Sequence, residues 1–478
     1  MPIDQWIPLL SAIVSLAHLL GVLTAIHAIL YARTSQAAVA WVIGLLAFPV
    51  LALPGYWVFG RSKFLGYVRA RRAGTARADA ELKRLDLQWE AHPPKLTPTG
   101  ERVRMLEKLA SSPWTSGNRG EVLVDGKATF DAIFETIDTA REYVCVQYYI
   151  LRDDAIGSQF AERLVQAAQR GCRVFVLWDE FGCRPRPQKM FRRFANAGIS
   201  VAGFRPQRGL RNMFRVNFRN HRKVVLVDGK VACVGGLNVG DEYMGRSRKV
   251  GNWRDTHLRV WGPAVEAIQL AWAEDWHWAT GEVPEMRWQP TAAPTADQTA
   301  LVLPSGPADD FESCSLMFVK ALQEATERCW IASPYFIPDA QTMAAMQLAA
   351  LRGVDVRFLI PDNKDHWLVW HAAWGFFGAA QEAGVRIFRY KPGFLHAKAL
   401  LVDDDLGAVG TANFDNRSFR LNFEMTILFA DRDFAQQVET MFESDLALSY
   451  ELPPFDLEAQ SRWFQFKVRY ANMFAQIL

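Results

Sequence analysis

Two stretches carry the same ionisable residues at the same spacing: "HRKVVLVDG" at 221–229 and "HAKALLVDD" at 396–404. Both read H-x-K-x-x-x-x-D. Seven residues past each Asp follows G-x-x-N, from Gly235 to Asn238 and from Gly410 to Asn413. Alternate residues of a strand share a face, so His221 points with Lys223 and His396 with Lys398. Each copy then offers an imidazole, an ammonium and, across the hairpin, the carboxamide of Asn238 or Asn413. That set suits a phosphate diester. Lys and Asn donate to non-bridging oxygens, and His attacks phosphorus or moves protons near neutral pH. One copy alone would be a half-site, and a single such string arises by chance. Two copies with matching continuations predict one active site built from two halves. The candidate catalytic set is His221, Lys223, Asp228, His396, Lys398 and Asp403. Within it, Asp228 and Asp403 are expected to brace their turns rather than to transfer protons.

The elements that must position these residues also repeat. From about residue 119 strand and helix alternate: "YVCVQYYIL", "GSQFAERLVQAAQRG", "CRVFVLWDE", then "FRRFANAGISVAGF". The order recurs as "RCWIASPYF", "QTMAAMQLAALRG", "VDVRFLI" and "FFGAAQEAGVRIFRY". Such βαβ order predicts parallel pairing. The period of about 180 residues is too long for a solenoid. The expectation is two similar α/β domains packed face to face, at 119–280 and 301–455. The Pro- and Ala-rich segment 281–300 would link them, and an amphiphilic tail would cover 456–478.

Upstream the chain turns apolar. Ile7–Tyr31 and Ala37–Phe59 are runs of 25 and 23 residues without Asp, Glu, Lys or Arg. As helices each would reach about 35 Å, enough for a hydrocarbon core of about 30 Å. With only Ala32–Gln36 between them, they predict a membrane hairpin at 7–31 and 37–59. A secretory signal fits poorly, because no Lys or Arg precedes the first run and a second follows at once. His18 and His27 inside the first run are read as tolerated or helix-packing groups. Arg61, Lys63, Arg69, Arg71, Arg72 and Arg77 follow the second run before any acid, whereas the connecting loop has only Arg33. The positive-inside rule then places residue 61 onward in the cytoplasm. Residues 61–118 read as a juxtamembrane helical connector.

The chain has 478 residues and a formal net charge of +3, so no global charge marks a nucleic-acid binder. Its six Cys show no C-x-x-C or paired Cys/His spacing and are expected as buried free thiols. The run "DDD" at 403–405 is read as an exposed turn rather than a metal site. The stretch 204–221 interleaves Arg205, Arg208, Arg211, Arg215 and Arg219 with Phe204, Met213, Phe214 and Phe218. Next to a membrane anchor that pattern suits anionic headgroups, although similar interleaving serves nucleic acid elsewhere. The tail "SRWFQFKVRYANMFAQIL" either lies in the lipid interface or packs on its domain.

The paired motifs resemble those of the phospholipase D superfamily. "RNHRKVVLVDGKVACVGGLNVGDEY", "WRDTHLRVWGPAV", "PSGP", "SPYFIPD", "LHAKALLVDD", "GTANFDNRSFRLNFE" and the N-terminal "AWVIGLLAFPVLALPGYWVFGR" make nearly the whole chain similar to the bacterial cardiolipin synthases of that superfamily. The resemblance implies a phosphohistidine mechanism with no metal or other cofactor. His221 would attack the phosphorus of phosphatidylglycerol. His396 would protonate departing glycerol, then deprotonate a second phosphatidylglycerol. It also implies a carboxylate orienting each imidazole, and Asp255 and Glu424 match that pattern. The implied setting is the cytoplasmic face of a bacterial inner membrane, with anionic lipids as partners, no nucleic acid, and an open oligomeric state. A membrane-bound hydrolase using water, a headgroup-exchange enzyme and a tethered nuclease use the same motif, and an inactive scaffold would keep the fold.

Overall fold

The computed structural model describes residues 6–32, 34–60, 88–110, 112–205, 217–246 and 251–475. The chain divides into two compact units. One, residues 1–68 with 206–218, contains the apolar helices. The other, residues 69–205 and 219–478, contains both repeated halves. The basic run 61–77 and most of the Arg- and Phe-rich stretch (206–216) lie outside the described residues.

In the first unit a helix covers Trp6–Tyr31, and its segment Leu9–Tyr31 is long and apolar enough to cross a membrane. The second apolar run departs from the single span expected. It forms two helices, Ser35–Ala47 and Pro49–Phe59, which meet at Phe48 (φ −136°, ψ 58°). Pro49 is the cause: it has no N–H to donate, and its ring drives the preceding residue out of helical geometry. Ala25, Ala28, Leu45 and Tyr56 form the shared core of these helices. His27 Nδ1 lies 2.6 Å from the Tyr56 hydroxyl, a polar contact between apolar helices.

In the second unit, the first half contributes β1 (Thr115–Val124), β2 (Tyr143–Tyr148), β3 (Arg173–Asp179), β4 (Ser200–Phe204), β5 (Arg219–Asn220), β6 (Val224–Val227), β7 (Val231–Gly235), β8 (Trp253–Arg254) and β9 (Thr256–Trp261). The second half contributes β10 (Gln298–Ser305), β11 (Arg328–Ala332), β12 (Asp355–Pro361), β13 (Arg386–Tyr390), β14 (Phe394–Leu395), β15 (Ala399–Val402), β16 (Leu406–Gly410), β17 (Asn422–Phe429) and β18 (Ser449–Glu451). The strand order is β18-β13-β12-β11-β15-β16-β17-β10-β1-β9-β7-β6-β2-β3-β4. Read outward from the β10–β1 seam, both halves follow the same order, so the duplication extends to topology. As the βαβ reading predicts, β2-β3-β4 and β11-β12-β13 pair in parallel.

The halves do not join by stacking one sheet face on another. β1 runs antiparallel to β10 and makes one continuous sheet. Each half still has its own core, built around Val146, Phe160, Val176 and Phe194 in the first and Phe336, Phe358, Phe377 and Leu428 in the second. All six Cys are buried and free.

Candidate active site

Four short backbone segments build the site, two from each half. β5 pairs in parallel with the start of β17, placing Arg219 beside Asn422 and Asn220 beside Phe423. The next residues in that register are His221 and Glu424. β14 pairs in parallel with β8, placing Phe394 beside Trp253 and Leu395 beside Arg254. The next residues there are His396 and Asp255. Backbone bonds extend the match: His221 N donates to Phe423 O at 2.9 Å, and His396 N donates to Arg254 O at 2.6 Å.

The result is a crossed arrangement. His221 Nδ1 lies 3.0 Å from Glu424 Oε2, and His396 Nδ1 lies 2.7 Å from Asp255 Oδ2. Each imidazole is held by the other half's carboxylate. Both carboxylates have fully buried side chains, while each imidazole keeps 11% of its side-chain surface exposed, enough to meet a substrate.

The two pairs are not equivalent. Glu424 also accepts from Thr411 Oγ1 (2.6 Å), Ser418 Oγ (2.9 Å) and Asn422 Nδ2 (3.1 Å). Asp255 accepts from the Thr256 amide at 2.7 Å and, at 3.4 Å, from Trp253 Nε1. His396 Nδ1 has a second neighbour, Lys398 Nζ, at 2.8 Å. Among the described residues His221 Nδ1 has only Glu424. That fixes the hydrogen on Nδ1 and leaves a lone pair on Nε2.

Lys223 and Lys398 are buried, and each donates to the carbonyl of its own motif histidine. Burial pushes the Lys223 ammonium down to about 7 and the Lys398 ammonium to about 8, against the pull of Glu424 and Asp255. Burial also lowers both imidazoles, His396 to about 4, with Lys398 adding to the effect there. Burial alone would raise Asp255, but Lys398, His396 and the Thr256 amide more than offset it, leaving it at about 2. Lys398 acts on His221 and Lys223 on His396, so the two half-sites share one electrostatic field.

The other sequence candidates fall elsewhere. Asp228 accepts from three consecutive amides, those of Arg141, Glu142 and Tyr143, at 2.8–2.9 Å. Asp403 does the same for Thr326, Glu327 and Arg328. Both sit in left-handed turns, at φ 53° and 49°. Seven residues of mostly extended chain carry them about 20 Å from their motif imidazoles. Asp228 and Asp403 thus hold the amides at the start of β2 and β11, away from the imidazoles. Asp403 and Asp405 are buried and both accept from Thr99, Asp403 from its hydroxyl at 3.4 Å and Asp405 from its amide at 3.3 Å, so only Asp404, paired with Arg328, fits the exposed turn expected. Asn238 is engaged by the Ile150 amide (3.1 Å) and the Tyr243 hydroxyl (3.3 Å). The Asn413 carboxamide bonds Asp415, and its buried Oδ1 has no hydrogen-bond partner.

Sequence reasoning missed the braces. Arg254, next to Asp255, makes a two-point pair with Asp445 at 2.7 Å for both contacts. Arg222, next to His221, pairs with Asp275 at 2.8 Å and donates to the Glu424 carbonyl at 2.9 Å. It also missed the walls: Tyr149 lies edge-on to His221 at 5.1 Å, and Trp253 lies 5.0 Å from His396. Nothing in the spacing marks Asp275 or Asp445, which come from distant helices.

The family profile described as "Cardiolipin synthase, PLD-like domain" matches residues 133–251 and 318–446, one match in each half. The chain belongs to this phospholipase D-like family. It is 45% identical to cardiolipin synthase A of Pseudomonas putida (strain W619) over 471 residues, covering 98% of both chains. It is 44% identical to cardiolipin synthase A of Pseudomonas fluorescens (strain SBW25), again over 98% of both. The crystal structure of phosphatidylserine synthase from Haemophilus influenzae Rd KW20 shares the fold at a TM-score of 0.58 and 12% identity. That alignment covers 83% of this chain and all of that one.

Proposed function

We propose that this protein is a cardiolipin synthase: it transfers a phosphatidyl group from one phosphatidylglycerol to another, giving cardiolipin and glycerol. The observation that carries the reading is the crossed pair of imidazoles, each fixed through Nδ1 by the opposite half's carboxylate beside a buried lysine. The full-length similarity to cardiolipin synthase A supports the choice of substrate.

His221 is the nucleophile. Its Nδ1 has a carboxylate partner, so Nε2 carries the lone pair that attacks phosphorus. His396 is the acid and base. Its Nδ1 lies between an acceptor, Asp255, and a donor, Lys398, so either ring nitrogen can hold the proton. The P–O bond to glycerol breaks as the P–N bond to His221 forms, and the leaving oxygen takes its proton from His396. The hydroxyl of a second phosphatidylglycerol then returns a proton to His396 and attacks phosphorus, freeing His221. Lys223 and Lys398 stabilise the equatorial oxygens, with the remaining amide hydrogens of Asn238 and Asn413 assisting. One diester replaces another, so the chemistry needs no nucleotide. The apolar N-terminus is a membrane hairpin with the catalytic unit on the cytoplasmic side, and the Arg-rich approach to His221 receives anionic headgroups.

The test is incubation of purified protein with phosphatidylglycerol alone, with chelator and without CTP. Cardiolipin and glycerol in equal amounts are expected by lipid mass analysis. Phosphatidic acid as the main product would instead support the hydrolase reading.

A further inference from the structure

The last helix, Arg462–Asn472, has two apolar faces, and only one is packed among the described residues. At about 100° per residue, Phe464, Val468, Ala471 and Ala475 line one side. That side packs against helix Trp367–Glu382, where Ala372 and Phe376 join the cluster with Ala471 and Ala475. Phe464 reaches the Trp374 ring at 5.9 Å. The fit is close: a Cβ on Gly375 would fall 1.9 Å from Asn472 Nδ2.

The opposite side is a stripe of Trp463, Phe466, Tyr470 and Met473, which are 66%, 56%, 43% and 75% exposed. The rings stack along the helix, Trp463 on Phe466 at 5.5 Å and Phe466 on Tyr470 at 6.1 Å. Their exposure is therefore a fixed feature of the surface. Between the two faces lie Arg462 and Arg469 on one flank and Lys467 on the other. The helix has no acidic residue, although Arg469 pairs at 2.5 Å with Glu458 upstream of it, leaving Arg462 and Lys467 as its cations without an ion pair among the described residues. Amphipathic rings on one face with cations at its margins match a headgroup boundary, where rings sit among acyl chains and cations among phosphates. The same chain carries an apolar helix long enough to cross a membrane.

We propose that the Trp463–Met473 face docks on the anionic bilayer surface and seats the catalytic unit on the lipid that supplies its substrate. This rests on the membrane reading above. The charge of the flanks selects lipid over a second copy of the chain, whose same helix would oppose it with like charge.

The test uses the full chain in vesicles of phosphatidylglycerol mixed with phosphatidylcholine. A nitroxide is placed on Phe466→Cys, the native thiols being buried, and Gln436→Cys on another exposed helix is the reference. Docking predicts a several-fold higher ratio of oxygen to water-soluble nickel-chelate collisions at 466 than at 436. Equal ratios overturn the proposal. Spin–spin broadening at 466 that disappears on dilution with unlabelled protein also overturns it, in favour of self-association. A Trp463→Ser/Phe466→Ser/Tyr470→Ser variant keeps the packed face intact. It should raise several-fold the surface fraction of phosphatidylglycerol giving half-maximal rate, with kcat retained. Loss of kcat with no change in that fraction counts against docking. The nitroxide readout needs no turnover, so its failure is distinct from failure of the transferase assignment.

Discussion

At the residue scale the asymmetry between the two imidazoles has consequences. Glycerol is a poor leaving group, so losing the acid should stop turnover in His396→Ala as fully as losing the nucleophile in His221→Ala. A phosphatidyl ester of an acidic phenol needs no proton to leave. With it, His396→Ala should form a covalent enzyme and stall, while His221→Ala should give no adduct. Peptide mapping checks this, and an adduct on His396 would reverse the assignment. With both lysines on the phosphate, as proposed, they would set the pH range. Their ammonium forms are present below about 7 for Lys223 and about 8 for Lys398 and are lost as pH rises. The profile of kcat/KM should therefore fall on the alkaline side near those values. A bound phosphodiester anion favours the ammonium form, so the limb in kcat should lie at higher pH. Coincident limbs would show that the lysines do not face the phosphate.

At the element scale, the glycines of the repeated G-x-x-N are explained by strand contact. A Cβ on Gly235 would fall 2.5 Å from His257 Cα, and one on Gly410 would fall 2.5 Å from the Met425 carbonyl oxygen. Next to the first, a Cβ on Gly236 would fall 2.0 Å from Asp255 Oδ1. Gly236→Ala should displace that carboxylate and with it His396. The expected outcome is loss of turnover with the circular dichroism spectrum retained. Activity near the parent level would mean that Asp255 does not hold the imidazole. The Arg254–Asp445 pair fixes the same segment from behind. Asp445→Ala leaves the buried Arg254 guanidinium with only the longer 3.6 Å pair to Asp125, at a cost of up to about 3–5 kcal/mol, which chemical denaturation can measure.

At the scale of the whole molecule, the charge around the apolar runs predicts an orientation. Ser35→Cys is exposed at the first residue of the second helix, and Gln460→Cys is exposed on the second unit. In intact cells an impermeant maleimide should modify the first and reach the second only after permeabilisation. The reverse pattern would invert the topology.

Much of this protein was legible in its sequence because the signal is local. Strand and helix alternate with their own periods, and uncharged runs of membrane length stand out. The H-x-K residues themselves lie just outside the strands, between β5 and β6 and between β14 and β15. The duplication could be read because both copies kept the same spacing. The tertiary structure decided what sequence distance conceals. Asp255 follows His221 and Glu424 follows His396 along the chain, yet each carboxylate serves the other histidine. Two-residue parallel bridges between the halves set that exchange, and a bridge so short leaves no periodic trace. Asp228 and Asp403 stand in the motif beside the proposed catalytic groups, but the extended chain carries them to the far end of the hairpin, where they bind amides. The second apolar run reads as one span by hydropathy, and Pro49 divides it through backbone sterics that hydropathy does not record. The residue types follow from the chemistry. Which of them meet follows from the seam between β1 and β10 and from the two bridges that interlock the halves.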